Sequence, residues 1–469
     1  MNVHPQSDIA SAAATPAISS AHDFLYGQAP RPVSCGRGVV IGAGEVIPEV
    51  NFTLPPIDIM EETWPEVRAQ YTEMIDGVCK RAADLEVPAL VVEFETLPPM
   101  TVFPEWGAEI TELLAATMRR YGETRGLRSA LRLTPNDTRD HVRPPVMRSG
   151  SYWDGMVRLF DLAGPSGADM IGIESTGGKE IHDQAIMDAD LEGIVYALGV
   201  LAPRDMRFLW TAIVQSCRTH GIVPSGDTAC GFANTAMVLA EQRMIPRVLA
   251  AVDRVASVPR GLVAYEVGAV GPSKDCAYEG PYMKAIAGVP ISMEGRSAAC
   301  AHLSTVGNIA QAVCDLWSNE SVQNVRLLST NAPTVSVEQL AYDCRLLNTA
   351  AKTRAGAEQM RDWLVASDAA LDPQAHVLRP EVVVKLSALI SGTACAYQRT
   401  RIAVIATLDE LARARVAGEV RIAENELRWL DQFRKAADGL PECEDEFIAE
   451  MLVRYADAPY LPGEYGLTA

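Results

Sequence analysis

A chain of 469 residues with 48% apolar content is long enough to bury a large core, and its formal charge of −19 argues against a nucleic-acid surface, which needs clustered Lys and Arg. Ten cysteines without a tight repeat fit reduced thiols in a cytoplasm better than a disulfide framework. Residues 1–20 lack the basic start and apolar block of a signal peptide, and the longest uncharged stretches, 228–240 and 386–398, are too short to span a bilayer, so no membrane partner is expected.

The first 37 residues, with Pro at 5, 16, 30 and 32, read as a loosely ordered arm. A strand-like start at 38–41 and a Gly-rich turn at 42–45 follow. From there the chain alternates: helix 65–85, buried strand 88–93, helix 109–121, strand 130–133, helix 152–162 and strand 170–173. Asp205 is placed to cap a helix in which Leu209, Ile213 and Cys217 fall four apart, and Gly221 stops it before a strand at 222–223. A helix over 234–242, a strand at 262–265, a helix over 282–287, a strand at 290–293 and a helix over 306–316 complete the pattern.

Such alternation points to a parallel TIM (β/α)8-type barrel over 38–335, with an open doubly wound sheet as the alternative, since periodicity does not show closure. Beyond 336 strand signals fade. Breaker-poor segments at 341–355, 380–394, 403–416 and 421–438 predict an additional helical C-terminal region, 336–469, suited to packing, to covering the barrel mouth, or to meeting a twin or a second protein.

Three residues follow short apolar runs that read as strands: Glu174, Cys230 and Cys276. In a parallel barrel the loops after the strands open on one face. Two thiolates and a carboxylate suit Zn2+ and leave its fourth position open, as in catalytic sites. Cys217, Cys300, Cys314, Cys344 and Cys395 read instead as small apolar fillers. Cys230 and Cys276 differ because they stand in loops rich in Gly and Asp.

The loops Glu174-Ser175-Thr176-Gly177-Gly178-Lys179-Glu180, Gly226-Asp227-Thr228-Ala229-Cys230 and Gly271-Pro272-Ser273-Lys274-Asp275-Cys276 resemble those of the zinc-containing methanol:corrinoid methyltransferase subunit family. The likeness extends to Ile41-Gly42-Ala43-Gly44, Trp106-Gly107-Ala108-Glu109, Ser292-Met293-Glu294-Gly295 and Trp317-Ser318-Asn319-Glu320. It implies a TIM barrel, one zinc held by Glu174, Cys230 and Cys276, and methyl transfer from a small methyl donor to cob(I)amide on a separate corrinoid-carrying protein. A homo-oligomer is expected.

By position in those loops, Asp227 is expected to orient the metal loop or relay a proton, and Lys274 with Asp275 to tune Cys276; turn formation is the plain alternative. Glu93, Glu266 and Glu294, ending other strands, and His302 are weaker candidates. Leu133 replaces a His of the methanol-specific relatives, which implies a more apolar pocket if it lines one. Two other readings stay open: another donor, such as a methoxylated compound or a methylthiol, and a non-catalytic corrinoid-protein-binding subunit with structural zinc.

Overall fold

A computed structural model describes residues 15–52, 57–274, 276–302, 304–321, 326–327 and 330–468. Strands β1 (Gln28–Ser34) and β2 (Val40–Ala43) pair antiparallel as a hairpin. Then come β3 (Ile47–Phe52), β4 (Ala89–Glu95), β5 (Arg128–Thr134), β6 (Met170–Ile173), β7 (Val223–Asp227), β8 (Ser292–Glu294) and β9 (Leu316–Ser321), joined in one parallel sheet in the order β7-β6-β5-β4-β3-β9-β8. Seven strands leave two free edges, and residues 270–273 close them. Val270 N donates to Pro224 O at 2.9 Å and Gly271 N to Ser225 O at 2.8 Å, while Ser273 N donates to Pro290 O at 3.0 Å and Ser292 N to Ser273 O at 3.1 Å. The expected barrel is therefore present, with an eighth stave too short and irregular to form a full ladder.

Alternation along each strand sorts its side chains between helices and lumen. Val50, Phe52, Val92, Phe94, Leu131, Leu133, Ile171 and Ile173 join the large core shared with the surrounding helices. Ile47, Ala89, Val91, Ala130, Met170 and Leu316 form a second cluster with Val33, Cys35, Val39 and Ile41. The β1–β2 hairpin thus plugs the barrel end where the strands begin. The same alternation gives the next lumen layer Glu49, Glu93, Arg132 and Ser292, all buried. Arg132 Nη2 lies 3.1 Å from Glu49 Oε1, and Thr134 Oγ1 donates to Glu93 at 2.5 Å. A buried charge persists only when it is paired, and these are.

The charged lumen explains the main departures from the sequence reading. β3 carries Pro48, Glu49 and Asn51 among its apolar residues, which breaks the run that marks a buried strand. The apolar run 262–265 is not a strand but part of the helix Val258–Val267, with Pro259 in its first turn and Gly268 at its end (φ 123°). An apolar run packed on all sides looks the same in either conformation. Leu316 opens β9, and the helix before it covers only Gly307–Gln311. Asp205 lies inside the helix Ala202–His220 rather than capping it. Of the expected N-terminal arm, residues 1–14 lie outside the described residues, whereas Phe24, Leu25 and Tyr26 are buried. The helix Ala332–Ala350 runs through the 335/336 boundary and packs on β3 and β9, and Ala396–Val416 packs on the helices Arg247–Ala256 and Val258–Val267. No helix among the described residues is long and apolar enough to cross a membrane.

Candidate metal centre

Glu174 stands one residue beyond β6, where a parallel bridge to Asn136 prolongs the strand line. Its loop is pinned from below. A Cβ at Gly177 would lie 2.3 Å from the Asp205 carboxylate, and one at Gly178 (φ +89°) would meet Ala197 O at 3.0 Å, so only glycine fits this close approach. Asp205 pairs with Arg139 at 2.8 Å, and Arg139 pairs with Asp137 at 2.7 Å, all fully buried. Asp137 in turn accepts from Thr176 N at 3.0 Å, which fixes the loop two residues after Glu174. From the other side the C-terminal Tyr465 hydroxyl accepts from Gly178 N at 3.0 Å and donates to Glu180 at 2.6 Å.

Cys230 opens a π-turn, Cys230–Asn234, that leads into the helix Thr235–Glu241. Such turns recur where a helix is bent to present a functional group. Glu279 holds this loop by accepting from Ala229 N at 2.6 Å. Cys276 comes six residues after Val270, just past the closing stave. Its Sγ lies 3.4 Å from Glu174 Oε1, and its N–H donates to Thr228 Oγ1 at 3.4 Å. The ligand atoms of Glu174, Cys230 and Cys276 all lie within 4.8 Å of one another, so three residues spread over a hundred positions converge.

The electrostatics fit a cation. Burial, together with the neighbouring Cys230 and Glu174, holds the Cys276 thiol well above its ordinary value. At Cys230 the hydrogen bond with Cys276 pulls downward, yet burial and Glu174 leave the net shift upward. Without a positive ion both thiols stay protonated; with one they ionise, because the ion stabilises the thiolates. Two sulfurs and one carboxylate oxygen match zinc's preferences and leave one tetrahedral position free.

Lys274 Nζ lies 2.7 Å from Glu174 Oε1, 2.5 Å from Glu95 Oε1 and 3.6 Å from Glu93 Oε1. Burial pushes the Glu95 carboxyl up to about 7 against the opposing pull of Lys274. Asp227 faces away from the lumen. The β6–β7 register slips between Ile171↔Pro224 and Ile173↔Asp227, which turns Asp227 to the helices. There it pairs with Arg260 at 2.9 Å and accepts from Trp210 Nε1 at 3.0 Å and Ser175 Oγ at 3.1 Å.

Other expectations fare differently. Leu133 sits in the helix-side core, so it lines no pocket in the lumen. Glu266 belongs to the helix Val258–Val267, not a strand end, and pairs with Arg207 and Arg399. Glu294 ends β8 as read, with His302 Nδ1 4.0 Å away. Cys217, Cys314 and Cys344 are buried fillers and Cys395 is half-buried; Asp275 and the Cys300 side chain lie outside what is described. Sequence reasoning missed Glu95, Asn234, Arg260 and Glu279. Asn234 carried a usable signal, four residues after Cys230 on a helical segment. A second acidic group, His376, Glu410 and Glu419, is already balanced: Lys385 and Arg413 reach Glu410 at 2.6 and 2.5 Å, and Arg413 reaches Glu419 at 2.9 Å.

A closed parallel barrel with soft and hard donors gathered at its strand-end face has the form of a metal-dependent barrel enzyme. Residues 12–466 match the family model described as MtaB, methanol-cobalamin methyltransferase B subunit. The chain is 33% identical over 457 residues to the methanol–corrinoid protein co-methyltransferase of Methanosarcina barkeri (strain Fusaro / DSM 804), covering 96% of this chain and 98% of that protein. The crystal structure of the methanol:cobalamin methyltransferase complex MtaBC from Methanosarcina barkeri matches with a TM-score of 0.92 at 33% identity, over 97% of this chain and 99% of the other. The chain belongs to the methanol-cobalamin methyltransferase B subunit family.

Proposed function

We propose that this chain moves the methyl group of methanol to the reduced corrinoid of a partner protein, with zinc held by Glu174, Cys230 and Cys276. The observation that carries this is the convergence of those three side chains in a chain alike from end to end to a methanol–corrinoid protein co-methyltransferase. In the reaction the carbon–oxygen bond breaks and the lone pair of Co(I) forms the cobalt–carbon bond. Cobalt becomes formally Co(III), and the departing hydroxide takes one proton from solvent and leaves as water. The chemistry zinc supplies when bound is Lewis acidity toward the alcohol oxygen, which makes it a better leaving group.

The chain's own residues hold and balance. Two thiolates and a carboxylate against a divalent ion leave a net charge of −1, which the Lys274 ammonium offsets. Asp227, through Ser175, and Glu279, through Ala229, keep the ligand loops from rotating; supporting contacts of this kind set the precision of a metal centre. Asp227 is thus a positioning residue in this reading, since its carboxylate is fully engaged on the helix side. A cytoplasmic setting accords with the nine unpaired thiols among the described residues. A homo-oligomer completes the proposal, to be checked by sedimentation.

The test presents the purified protein and a reduced corrinoid with methanol, methanethiol and a methoxylated aromatic acid, following the cobalt spectrum. Methylation from methanol, lost in Glu174→Gln with the fold kept, is the expected result. No methylation from methanol, or turnover unchanged in Glu174→Gln, contradicts it.

A further inference from the structure

We infer that Asn234 reads the hydroxyl group of the methyl donor and so selects an alcohol over an ether or a thiol. This rests on the function proposed above and concerns a residue on the rim of the metal centre. The π-turn brings the Asn234 side chain back alongside Cys230, with Nδ2 donating to Sγ at 3.5 Å. A thiolate has no proton to give, so the amide must turn its nitrogen toward sulfur. Nitrogen and oxygen of a planar amide are about 2.3 Å apart, which keeps Oδ1 within about 6 Å of Sγ.

That oxygen is buried and has no hydrogen-bond partner among the described residues. A buried carbonyl left unpaired is costly, and the nearby cation is already spent: Lys274 lies between Glu174 and Glu95. No described residue supplies a donor to Oδ1, and the ligand that the centre is built for has one. An alcohol gives a single O–H hydrogen bond while keeping its oxygen lone pairs free. An ether has no proton to give, and a thiol is a weak donor. Sites built around a substrate hydroxyl discriminate strongly against analogues lacking it, because their own polar atom is then stranded. One amide thus does two things: its N–H draws charge from the Cys230 sulfur, and its C=O orients the alcohol so that the methyl carbon is held in one direction.

The experiment loads wild type, Asn234→Leu and Asn234→Ser with Co(II). It records the sulfur-to-cobalt charge-transfer absorption, then measures transfer to reduced cobalamin from methanol, methanethiol and a methoxylated aromatic acid. Both variants are expected to bind one Co(II) with a shifted band. Each should lose about 10- to 100-fold more in kcat/KM for methanol than for the other two donors, so that the preference for methanol collapses. An unshifted band, or a methanol preference equal to that of wild type, overturns the inference. Asn234→Ser is smaller than asparagine and stays polar without reaching as far as the amide, so it keeps the test decisive if the leucine variant does not fold. Absence of a sulfur-to-cobalt band in wild type itself would instead strike at the metal reading, and the inference would fall with it.

Discussion

The Lys274 ammonium lies 2.7 Å from the Glu174 carboxylate, on a side chain only 2% exposed. One buried cation therefore ties a proposed metal ligand to the carboxylates of β4, Glu95 and Glu93. Removing one member of a buried charge cluster leaves the others uncompensated, at a cost of about 3–5 kcal/mol. Lys274→Met is expected to lower stability in urea by about that amount. Lys274→Arg, which keeps the charge but not the shape, should recover part of it.

Asp227 offers a test between holding and proton transfer. Its carboxylate carries the buried Arg260 and two further donors, so Asp227→Asn strands a guanidinium and should cost about 3 kcal/mol or more. Melting temperature and bound zinc are expected to fall together. A variant with normal melting and full zinc but slow turnover would point to proton relay instead.

The C-terminal tether of the metal loop has a pH signature. Burial pushes the Glu180 carboxyl up to about 7 from an ordinary 4.5, against the hydrogen bond from Tyr465. The folded state thus binds this proton more tightly than the unfolded chain. Its contribution is fully present below pH 4.5 and is lost as pH rises toward 7, by roughly 2 kcal/mol given partial exposure. Denaturation of wild type and Glu180→Gln across that window should show the slope in the former and its loss in the latter.

How far the sequence led depended on where apolar runs were intact. β6 was legible to the residue because Met170 to Ile173 is an unbroken apolar run, and Glu174 follows it directly. β3 and residues 270–273 were hidden, the first by its lumen-facing Glu49 and Asn51, the second by Gly271 and Pro272. Cys276 was still found, through its loop, although the strand assigned before it is a helix. The direction of Asp227 depends on a one-residue slip against β6, which no pattern in β7 announces.

The same alternation decides the role of Leu133. It packs between β5 and the helices, while Arg132 and Thr134 face inward, so Leu133→His buries an imidazole in apolar surroundings. The expected outcome is a loss of about 2–4 kcal/mol with the ranking of methyl donors unchanged. A switch in donor ranking in a stably folded variant would place this residue at the pocket after all.

X-ray absorption at the zinc edge of the purified protein tests the central claim most directly. One zinc per chain is predicted, with two sulfur neighbours at about 2.3 Å and oxygen or nitrogen at about 2.0–2.2 Å, the sulfur count dropping to one in Cys276→Ser. A protein without stoichiometric zinc, or a sulfur count indifferent to that substitution, would contradict it.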